Sequence, residues 1–217
     1  MQAYIFDLDD TLYDLSRHRA RHLRRAWASW LDELPDHAVT AVLERAVQQR
    51  IFFRDMQTFL MDAGVDDAAL REELVAVSQR TWFTDLELDA GVAGMLSALA
   101  QTARLGLITN GPSWTQRAKI EQFQLARWFP TMIVSGEFGY DKPDPRIFSA
   151  MLDALAVRAE DAVMVGDNPD ADVRGAHAVG MRAVWVQHPH MQYPDDLDPP
   201  WRTIPHVRTL LDAVSSS

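Results

Sequence analysis

The sequence predicts an α/β fold in which helices cover both faces of a parallel sheet, with an all-helical segment inserted near the N-terminus. Two observations support this prediction. After residue 86, short β-branched runs alternate with amphipathic segments, a pattern typical of a parallel sheet buried on both faces. Between residues 15 and 84, apolar residues recur at helical spacing. We therefore expect a three-layer core formed by residues 1–14 and 86–217, and a helical domain formed by residues 15–85.

The strands of the predicted core are short and apolar. The first covers residues 4–6, and the later ones are RLGLIT (104–109), TMIVS (131–135), AVMVG (162–166) and RAVWVQ (182–187). The helices predicted between them lie at about 92–102, 115–125, 145–155 and 170–179. This alternation is typical of a Rossmann-like sheet. Because no such helix directly follows the first strand, we place that strand in the same sheet and treat the helical segment as an insertion.

Pro and Gly predict where the helical segment breaks, at DELPD (32–36) and DAGVDD (62–67). His18 and His22 are one helical turn apart but have no evident third metal ligand, so we expect them on the exposed surface. Near the C-terminus, the proline-rich stretch 187–201 is expected to wrap the core without regular structure, before a last short helix, IPHVRTLLDAV (204–214).

The composition excludes several classes of function. A formal net charge of -10 opposes non-specific attraction to nucleic acid or anionic lipid. The chain has no cysteine, which excludes a disulfide framework and a thiol nucleophile. No stretch approaches the roughly 20 apolar residues of a membrane span, and no secretory pattern opens the chain. We expect a cytoplasmic monomer or homodimer with no nucleic-acid or membrane partner.

Polar residues follow four of the predicted strands at their carboxyl ends. In chain order they are Asp7-Leu8-Asp9-Asp10-Thr11, Thr109-Asn110-Gly111, Lys142 shortly after the third strand, and the run from Gly166 through Asp167 to Asp172. Ligands of open α/β sheets bind outside the carboxyl ends of the strands, near the point where strand order reverses. We therefore expect these side chains to form one site.

The chemistry of these side chains suits Mg²⁺-assisted phosphoryl transfer. Asp7 and Asp9 are two residues apart, so in extended backbone they point to the same side, and one can attack phosphorus while the other handles the proton. Asp7 and Asp167 supply the hard oxygen ligands that Mg²⁺ prefers. The donors available to phosphate oxygens, two neutral and one cationic, are Thr109, Asn110 and Lys142.

Four segments, DLDDT, LITNG, DKPDP and GDNPDAD, resemble the four ordered motifs of the haloacid dehalogenase superfamily. The resemblance is to the phosphatase branch whose helical cap lies between the first and second motifs. It covers the whole core and the position of the cap, although the cap sequence itself resembles no particular member. It implies a Rossmann-like catalytic core and a Mg²⁺ cofactor.

The resemblance also implies roles for the acidic residues. Asp7 corresponds to the nucleophile and a Mg²⁺ ligand, and Asp9 to the general acid/base, whose backbone carbonyl also binds the metal. Asp167 corresponds to a further metal ligand. Asp172 is expected to support the metal-bound waters and Lys142 from behind.

The same resemblance assigns the phosphate contacts. Thr109 and Lys142 are expected to hold the phosphoryl group. Asn110 is expected to assist through its backbone N–H.

These roles predict a Mg²⁺-dependent phosphatase that forms an aspartyl-phosphate. Its substrate would be a small phosphorylated metabolite such as a nucleoside monophosphate, a sugar phosphate or phosphoglycolate. A phosphomutase on the same core is the nearest alternative. A 2-haloacid dehalogenase is less favoured, because dehalogenases of this superfamily lack an aspartate at the position of Asp9. A non-catalytic binding module is less favoured because every expected catalytic group is present.

A basic run, RHRARHLRRAW (17–27), opens the predicted helical domain. Helical spacing places Arg17, Arg21 and Arg24 on one face. Such a face is commonly only solvated, and the alternative is contact with the leaving group of the substrate. These three arginines are therefore the candidate specificity residues of the cap.

Overall fold

The computed structural model describes residues 2–84, 86–189 and 191–215. The chain divides into two compact units. The core unit comprises Met1–Tyr13 and Glu87–Ser217, and the helical unit comprises Asp14–Leu86. None of the helices within the described ranges is long and apolar enough to cross a membrane.

Five helices form within the described residues of the helical unit. They are α1 (Leu15–Ala26), α2 (Ala28–Leu31), α3 (Asp36–Gln48), α4 (Met56–Asp62) and α5 (Ala68–Thr81). Asp14 caps α1 by accepting a hydrogen bond from the Arg17 N–H, and Asp67 caps α5 in the same way from Ala69. Both predicted breaks are observed, because 32–36 separates α2 from α3 and 62–67 separates α4 from α5.

The helical unit has its own apolar core, built around the fully buried Trp27. The Trp27 ring stacks on Phe59 at a centroid distance of 5.8 Å, and its Nε1 donates to Ser78 Oγ at 3.0 Å. Satisfying the indole N–H lets this large side chain be buried at little cost.

Our expectation that His18 and His22 are exposed is wrong. Both are buried, with relative exposures of 3% and 1%. Their Nε2 atoms lie 3.0 and 3.1 Å from the carbonyl oxygens of Trp82 and Ser78. The buried face of α1 is therefore partly polar, and these hydrogen bonds allow that polarity to be buried.

In the part of the core unit that the structure describes, six strands form one sheet. They are β1 (Ala3–Phe6), β2 (Arg104–Thr109), β3 (Thr131–Val134), β4 (Ala162–Gly166), β5 (Arg182–Val186) and β6 (Arg202–Ile204). Their order is β3-β2-β1-β4-β5-β6, and every neighbouring pair is parallel. The predicted α/β fold with a parallel sheet is confirmed, and β1 lies at its centre.

The described residues of this unit also form six α-helices. They are α6 (Val92–Leu99), α7 (Ser113–Gln122), α8 (Ser135–Phe138), α9 (Pro145–Leu155), α10 (Arg174–Ala178) and α11 (Leu210–Ser215). Every residue of β1 and β4 is buried, which explains their uninterrupted apolar sequences. On one face of the sheet, Ile5 and Met164 pack in a cluster with Phe148 and Met151 of α9.

The C-terminal third of the chain differs from the sequence prediction at three points. Residues 202–204 form the sixth strand, which pairs with β5 and was not predicted. The last helix begins at Leu210, after a 3₁₀ turn at Val207–Thr209, rather than at residue 204. The predicted helix 170–179 also opens differently, as a π-helical turn at Pro169–Val173 that leads into α10.

Replacing each of two glycines by alanine should have opposite effects on stability. Gly175 in α10 packs closely against α9, whereas Gly94 in α6 has open space beside it. A Cβ at Gly175 would lie 2.2 Å from Phe148 Cε2 and 3.2 Å from Pro143 Cα, whereas a Cβ at Gly94 in α6 meets nothing within 4 Å. Gly175→Ala should destabilise the protein by about 1–3 kcal/mol through overpacking. Gly94→Ala should be neutral or stabilise it by roughly 0.5–1 kcal/mol. Thermal unfolding measures both, and equal Tm values for the two variants would contradict the packing.

Candidate active site

The structure brings seven predicted site residues together at the carboxyl edge of the sheet. Because β1 lies between β2 and β4, the residues that follow these three strands are neighbours. Strand order reverses between β1 and β4, the position where open α/β sheets bind ligands. The seven residues, all in the core unit, are Asp7, Asp9, Thr109, Asn110, Lys142, Asp167 and Asp172.

Lys142 is a buried cation that binds two aspartates of this site. Its Nζ donates to Asp7 Oδ1 and to Asp172 Oδ1, each at 2.6 Å. Asp7 follows β1 directly, and its N–H continues the strand ladder by donating to Val165 O at 2.9 Å. Asp172 also accepts the Asn168 N–H at 3.1 Å. The ammonium and the backbone thus fix both carboxylates.

Asp7, Asp167 and Asp172 form a cluster that suits a divalent cation. One carboxylate oxygen from each lies within 4.8 Å of the others. Among the described residues, the ion pairs of this cluster come from one ammonium, that of Lys142, so three ionised carboxylates leave an excess of two negative charges. Hard oxygen ligands and this charge match Mg²⁺, which takes one or two carboxylates and completes its shell with phosphate and water.

Burial and like charge perturb the titration of this cluster. Burial raises the pKa of Asp7 to about 7, although Lys142 opposes this, and Asp172 adds repulsion. Burial, followed by the charges of Asp7 and Asp172, raises the pKa of Asp167 to about 9. Burial disfavours the Lys142 ammonium, but Asp172 and Asp7 outweigh it and raise the pKa of Lys142. The carboxylates therefore repel one another unless a cation is added.

Asp9 lies in a different environment, surrounded by donors. Lys119 Nζ donates to both of its carboxylate oxygens, at 2.7 and 2.8 Å. Gln116 Nε2 donates to Oδ2 at 3.0 Å, and the Tyr13 hydroxyl donates to Oδ1. Burial alone would raise the pKa of Asp9, but Lys119, Tyr13 and Gln116 together lower it. Asp9 is therefore held as a carboxylate.

Tyr13, Gln116 and Lys119 were not identified from the sequence. All three are buried. One signal could have identified Lys119, because only two of the 21 basic residues in the chain are lysines. The other is Lys142, and each of the two binds an aspartate of the first motif.

Asn110 and Asp10 shape the backbone of the site. The Asn110 side chain exchanges two hydrogen bonds with the Lys142 backbone, at 2.8 and 2.9 Å. It therefore fixes the loop that carries Lys142, and its expected backbone contact with phosphate stays a prediction. Asp10 has φ of 57°, a left-handed conformation that Asp tolerates better than most residues, so the third aspartate of DLDDT forms the turn after the site.

The three candidate specificity residues lie on the exposed face of α1 in the helical unit. Arg24 Nη1 lies 2.9 Å from Asp32 Oδ1, and Arg17 Nε lies 3.9 Å from Asp14 Oδ2. Arg21 shares this face, as its spacing predicts. Their predicted common face is confirmed, and contact with a substrate stays a prediction.

Fold and site together define an α/β enzyme with an acidic centre at the switch point of its sheet. Residues 4–186 match the sequence model of the haloacid dehalogenase-like hydrolases. The chain belongs to this family, as its four motifs predict.

Named relatives show the range of the family. The chain is 30% identical over 234 residues to a glyceraldehyde 3-phosphate phosphatase of Methanopyrus kandleri, covering 99% of this chain and 97% of that protein. It is also 52% identical over 82 residues to a phosphoserine phosphatase of Thermus thermophilus. That match spans 38% of this chain and 33% of the relative.

One solved structure bears another activity in its name. The chain resembles a 2-haloacid dehalogenase from Pseudomonas syringae pv. Tomato DC3000 with a TM-score of 0.63 and 27% identity, over 99% of this chain and 98% of that one. The fold alone therefore does not distinguish a phosphatase from a dehalogenase, and the residues of the site have to make that distinction.

The raised pKa of Asp167 predicts the pH dependence of stability without metal. Its folded pKa of about 9 lies above the ordinary 3.8, so unfolding releases a proton between these values. This contribution to stability is fully present below about pH 4 and is lost as pH rises through 9. The Tm of the protein in chelator should therefore fall over this range, and Asp167→Asn should flatten the fall and raise Tm at pH 8. Asp170→Asn, an exposed change in the same loop, should keep the wild-type slope. Equal slopes for wild type and Asp167→Asn would contradict the assignment.

Proposed function

We propose that this protein is a Mg²⁺-dependent phosphomonoester hydrolase that works through an aspartyl-phosphate on Asp7. The observation that carries the proposal is the cluster of Asp7, Asp167 and Asp172 around Lys142 at the end of the central strand. Such a site attracts a divalent cation and, with it, the phosphate of a substrate, despite the net charge of -10. Bound Mg²⁺ would neutralise charge between the nucleophile and the phosphoryl oxygens.

The Asp7 carboxylate would carry out the first half of the reaction. One of its oxygens attacks phosphorus, and the bond between phosphorus and the ester oxygen breaks. Asp9, ionised beforehand, would take up the proton that a phosphate monoester monoanion carries and give it to that oxygen, so the alcohol leaves neutral. Thr109 and Lys142 hold the phosphoryl group meanwhile, and Lys142 already lies 2.6 Å from Asp7 Oδ1.

The second half of the reaction returns the enzyme to its starting state. Water attacks the phosphorus of the aspartyl-phosphate, and Asp9 accepts the proton that the water loses. The bond between phosphorus and the Asp7 oxygen breaks, which releases inorganic phosphate. The covalent intermediate divides one difficult hydrolysis into two easier steps.

Two rivals use the same nucleophile. A dehalogenase displaces halide without a phosphate to neutralise, so neither the carboxylate cluster nor an acid/base at Asp9 would serve it. A phosphomutase would use every group described here and differ in excluding water from the intermediate. The named relatives, a glyceraldehyde 3-phosphate and a phosphoserine phosphatase, support hydrolysis of a small phosphorylated metabolite.

Substrate choice would fall to the helical unit, residues 14–86, as a cap. Phosphate is common to all candidate substrates, so selectivity needs groups that contact the leaving side. This unit is the large segment inserted between the first and second motifs. Its exposed face with Arg17, Arg21 and Arg24 is basic and would suit a second anionic group on the metabolite.

Variants of the two aspartates test the proposed chemistry. Asp7→Asn lacks the nucleophile, so it should form no aspartyl-phosphate and release no phosphate. Asp9→Asn should lose roughly 10²–10⁴-fold on alkyl phosphates, whose leaving oxygen needs a proton. Phosphate release and the intact mass of acid-quenched protein measure both effects, with Asp170→Asn as the control.

The same assay tests the metal. Exhaustive chelation should abolish phosphate release, and Mg²⁺ should restore it, because the carboxylates and the phosphate otherwise repel one another. Wild-type activity in Asp7→Asn would exclude an aspartyl-phosphate on Asp7. Full turnover in chelator would exclude a metal requirement.

A second experiment tests the basic face. Substitution of Arg17, Arg21 or Arg24 by Gln should change the relative kcat/KM among nucleoside monophosphates, sugar phosphates and phosphoglycolate, and change hydrolysis of a small aryl phosphate much less. Lys142→Ala should lower kcat/KM for all substrates together, since every substrate carries the same phosphoryl group. If the three arginine variants lose activity equally on all substrates, or lose none, the basic face is a solvated surface without a role in substrate selection.

A further inference from the structure

Three buried donors, Tyr13, Gln116 and Lys119, surround the Asp9 carboxylate, and we term them the Asp9 cradle. Lys119 is the only charged member, and it contacts both carboxylate oxygens at 2.7 and 2.8 Å. The Lys119 side chain is 5% exposed, whereas that of Asp9 is 26% exposed. The ammonium therefore lies on the interior side of the carboxylate, and Asp9 keeps an edge open to solvent.

The cradle also connects Asp9 to the predicted phosphate site. Gln116 Nε2 donates to Asp9 Oδ2 at 3.0 Å and also donates to Thr109 Oγ1. Gln116 and Lys119 are three residues apart on α7, so they share the helix face that the site requires. One rigid helix thus holds the proton-transfer group and a phosphate ligand at a fixed separation.

Stability alone does not account for this arrangement. A buried ion pair commonly stabilises a fold no better than well-packed apolar residues do, because both charges lose water. The chain otherwise uses arginine, since 19 of its 21 basic residues are Arg. A lysine ammonium is a compact point charge that can contact both oxygens of one carboxylate from the buried side. A planar guanidinium is larger and fits such a buried space less easily.

We propose that Lys119 is a positioning residue that acts through Asp9, with Tyr13 and Gln116 as its neutral partners. This inference rests on the proposed phosphatase activity. The cradle fixes the rotamer of Asp9, so that the proton passes to the ester oxygen along a set direction. When the proton leaves, the cradle stabilises the carboxylate that remains, which is the form that accepts a proton from water in the second half of the reaction.

The proposal predicts selective damage that depends on the leaving group. An alkyl phosphate needs a proton on its leaving oxygen. 4-Nitrophenyl phosphate does not, because its leaving group, 4-nitrophenolate, is stable as an anion. The parameter kcat/KM reports only the steps through the first irreversible one, which is transfer of the phosphoryl group to Asp7. A residue that acts through Asp9 therefore changes kcat/KM for alkyl phosphates and largely spares it for the nitrophenyl ester.

The principal variant is Lys119→Met, which keeps the length of the side chain and removes its charge. It should lower kcat/KM for the best alkyl phosphate by roughly 10²-fold, the lower end of a general acid's contribution. For 4-nitrophenyl phosphate the change should stay within about two-fold, the scatter expected of uncoupled sites. Arg117→Met is the matched control, because it removes a cation from the exposed face of the same helix and should leave both substrates unchanged.

A double-mutant cycle shows whether Lys119 works through Asp9. In the Asp9→Asn background, Lys119→Met should change kcat/KM for the alkyl phosphate by no more than about two-fold, since the group it positions has gone. Tyr13→Phe provides a second variant that keeps the buried ring. It should produce the same selective loss, on the order of ten-fold for one hydrogen bond to a charged group.

Each outcome supports or overturns the proposal. Equal losses on both substrates in Lys119→Met, or independent effects of Lys119→Met and Asp9→Asn, would overturn it and leave Lys119 a structural ion pair. If Lys119→Met does not fold, Tyr13→Phe decides by the same criterion. A wild-type protein that hydrolyses neither ester would overturn the phosphatase assignment itself, whereas an active wild type without selective loss overturns only the role of Lys119.

Discussion

The active-site structure depends on the bridge that the Lys142 ammonium makes between Asp7 and Asp172. Carboxylates held within 4.8 Å of one another at a buried site repel strongly, since little water screens them. Two contacts of 2.6 Å to one ammonium offset part of this cost. The backbone is adapted to the bridge as well, because a Cβ at Gly166 would lie 2.1 Å from Asp172 Oδ2. The end of β4 therefore needs glycine for Asp172 to reach Lys142.

Sheet order explains why these residues meet although they are far apart in the chain. β1 leads into the helical unit and β4 comes more than a hundred residues later, yet all four residues of β1 pair with β4 in parallel. The sequence shows this because strands buried on both faces must be apolar throughout, and AYIF and AVMVG are. Polar residues directly after such runs mark the carboxyl edge, which is how Asp7 and Asp167 could be assigned to one site.

Other parts of the structure carry no comparable pattern. β6 has three residues, lies at the edge of the sheet, and exposes Thr203, so neither alternation nor an apolar run marks it. The face of α7 that meets the site buries Gln116 and Lys119 beside Ile120, and buried polar residues remove the amphipathic signal that would show which face is internal. His18 and His22 were misjudged for another reason: they lie on the buried face of α1 with Leu23 and Ala26, and we expected exposure because no third metal ligand was evident, not from this spacing. Only partners distant in the sequence, Asp9 for Lys119 and Ser78 for His22, make such burial favourable.

The two aspartates of the first motif have opposite environments, and this difference bears on how one short segment can serve two roles. Burial and neighbouring carboxylates disfavour the charge on Asp7, whereas three donors favour the charge on Asp9. A nucleophile must be ionised, so positive charge beyond that of Lys142 would favour the proposed role of Asp7. Asp9 needs no such addition to be ionised, because the Asp9 cradle already stabilises its carboxylate, the form that proton donation would leave behind. Dependence on a divalent cation would then arise at Asp7 and not at Asp9, although the two residues are separated only by the buried Leu8.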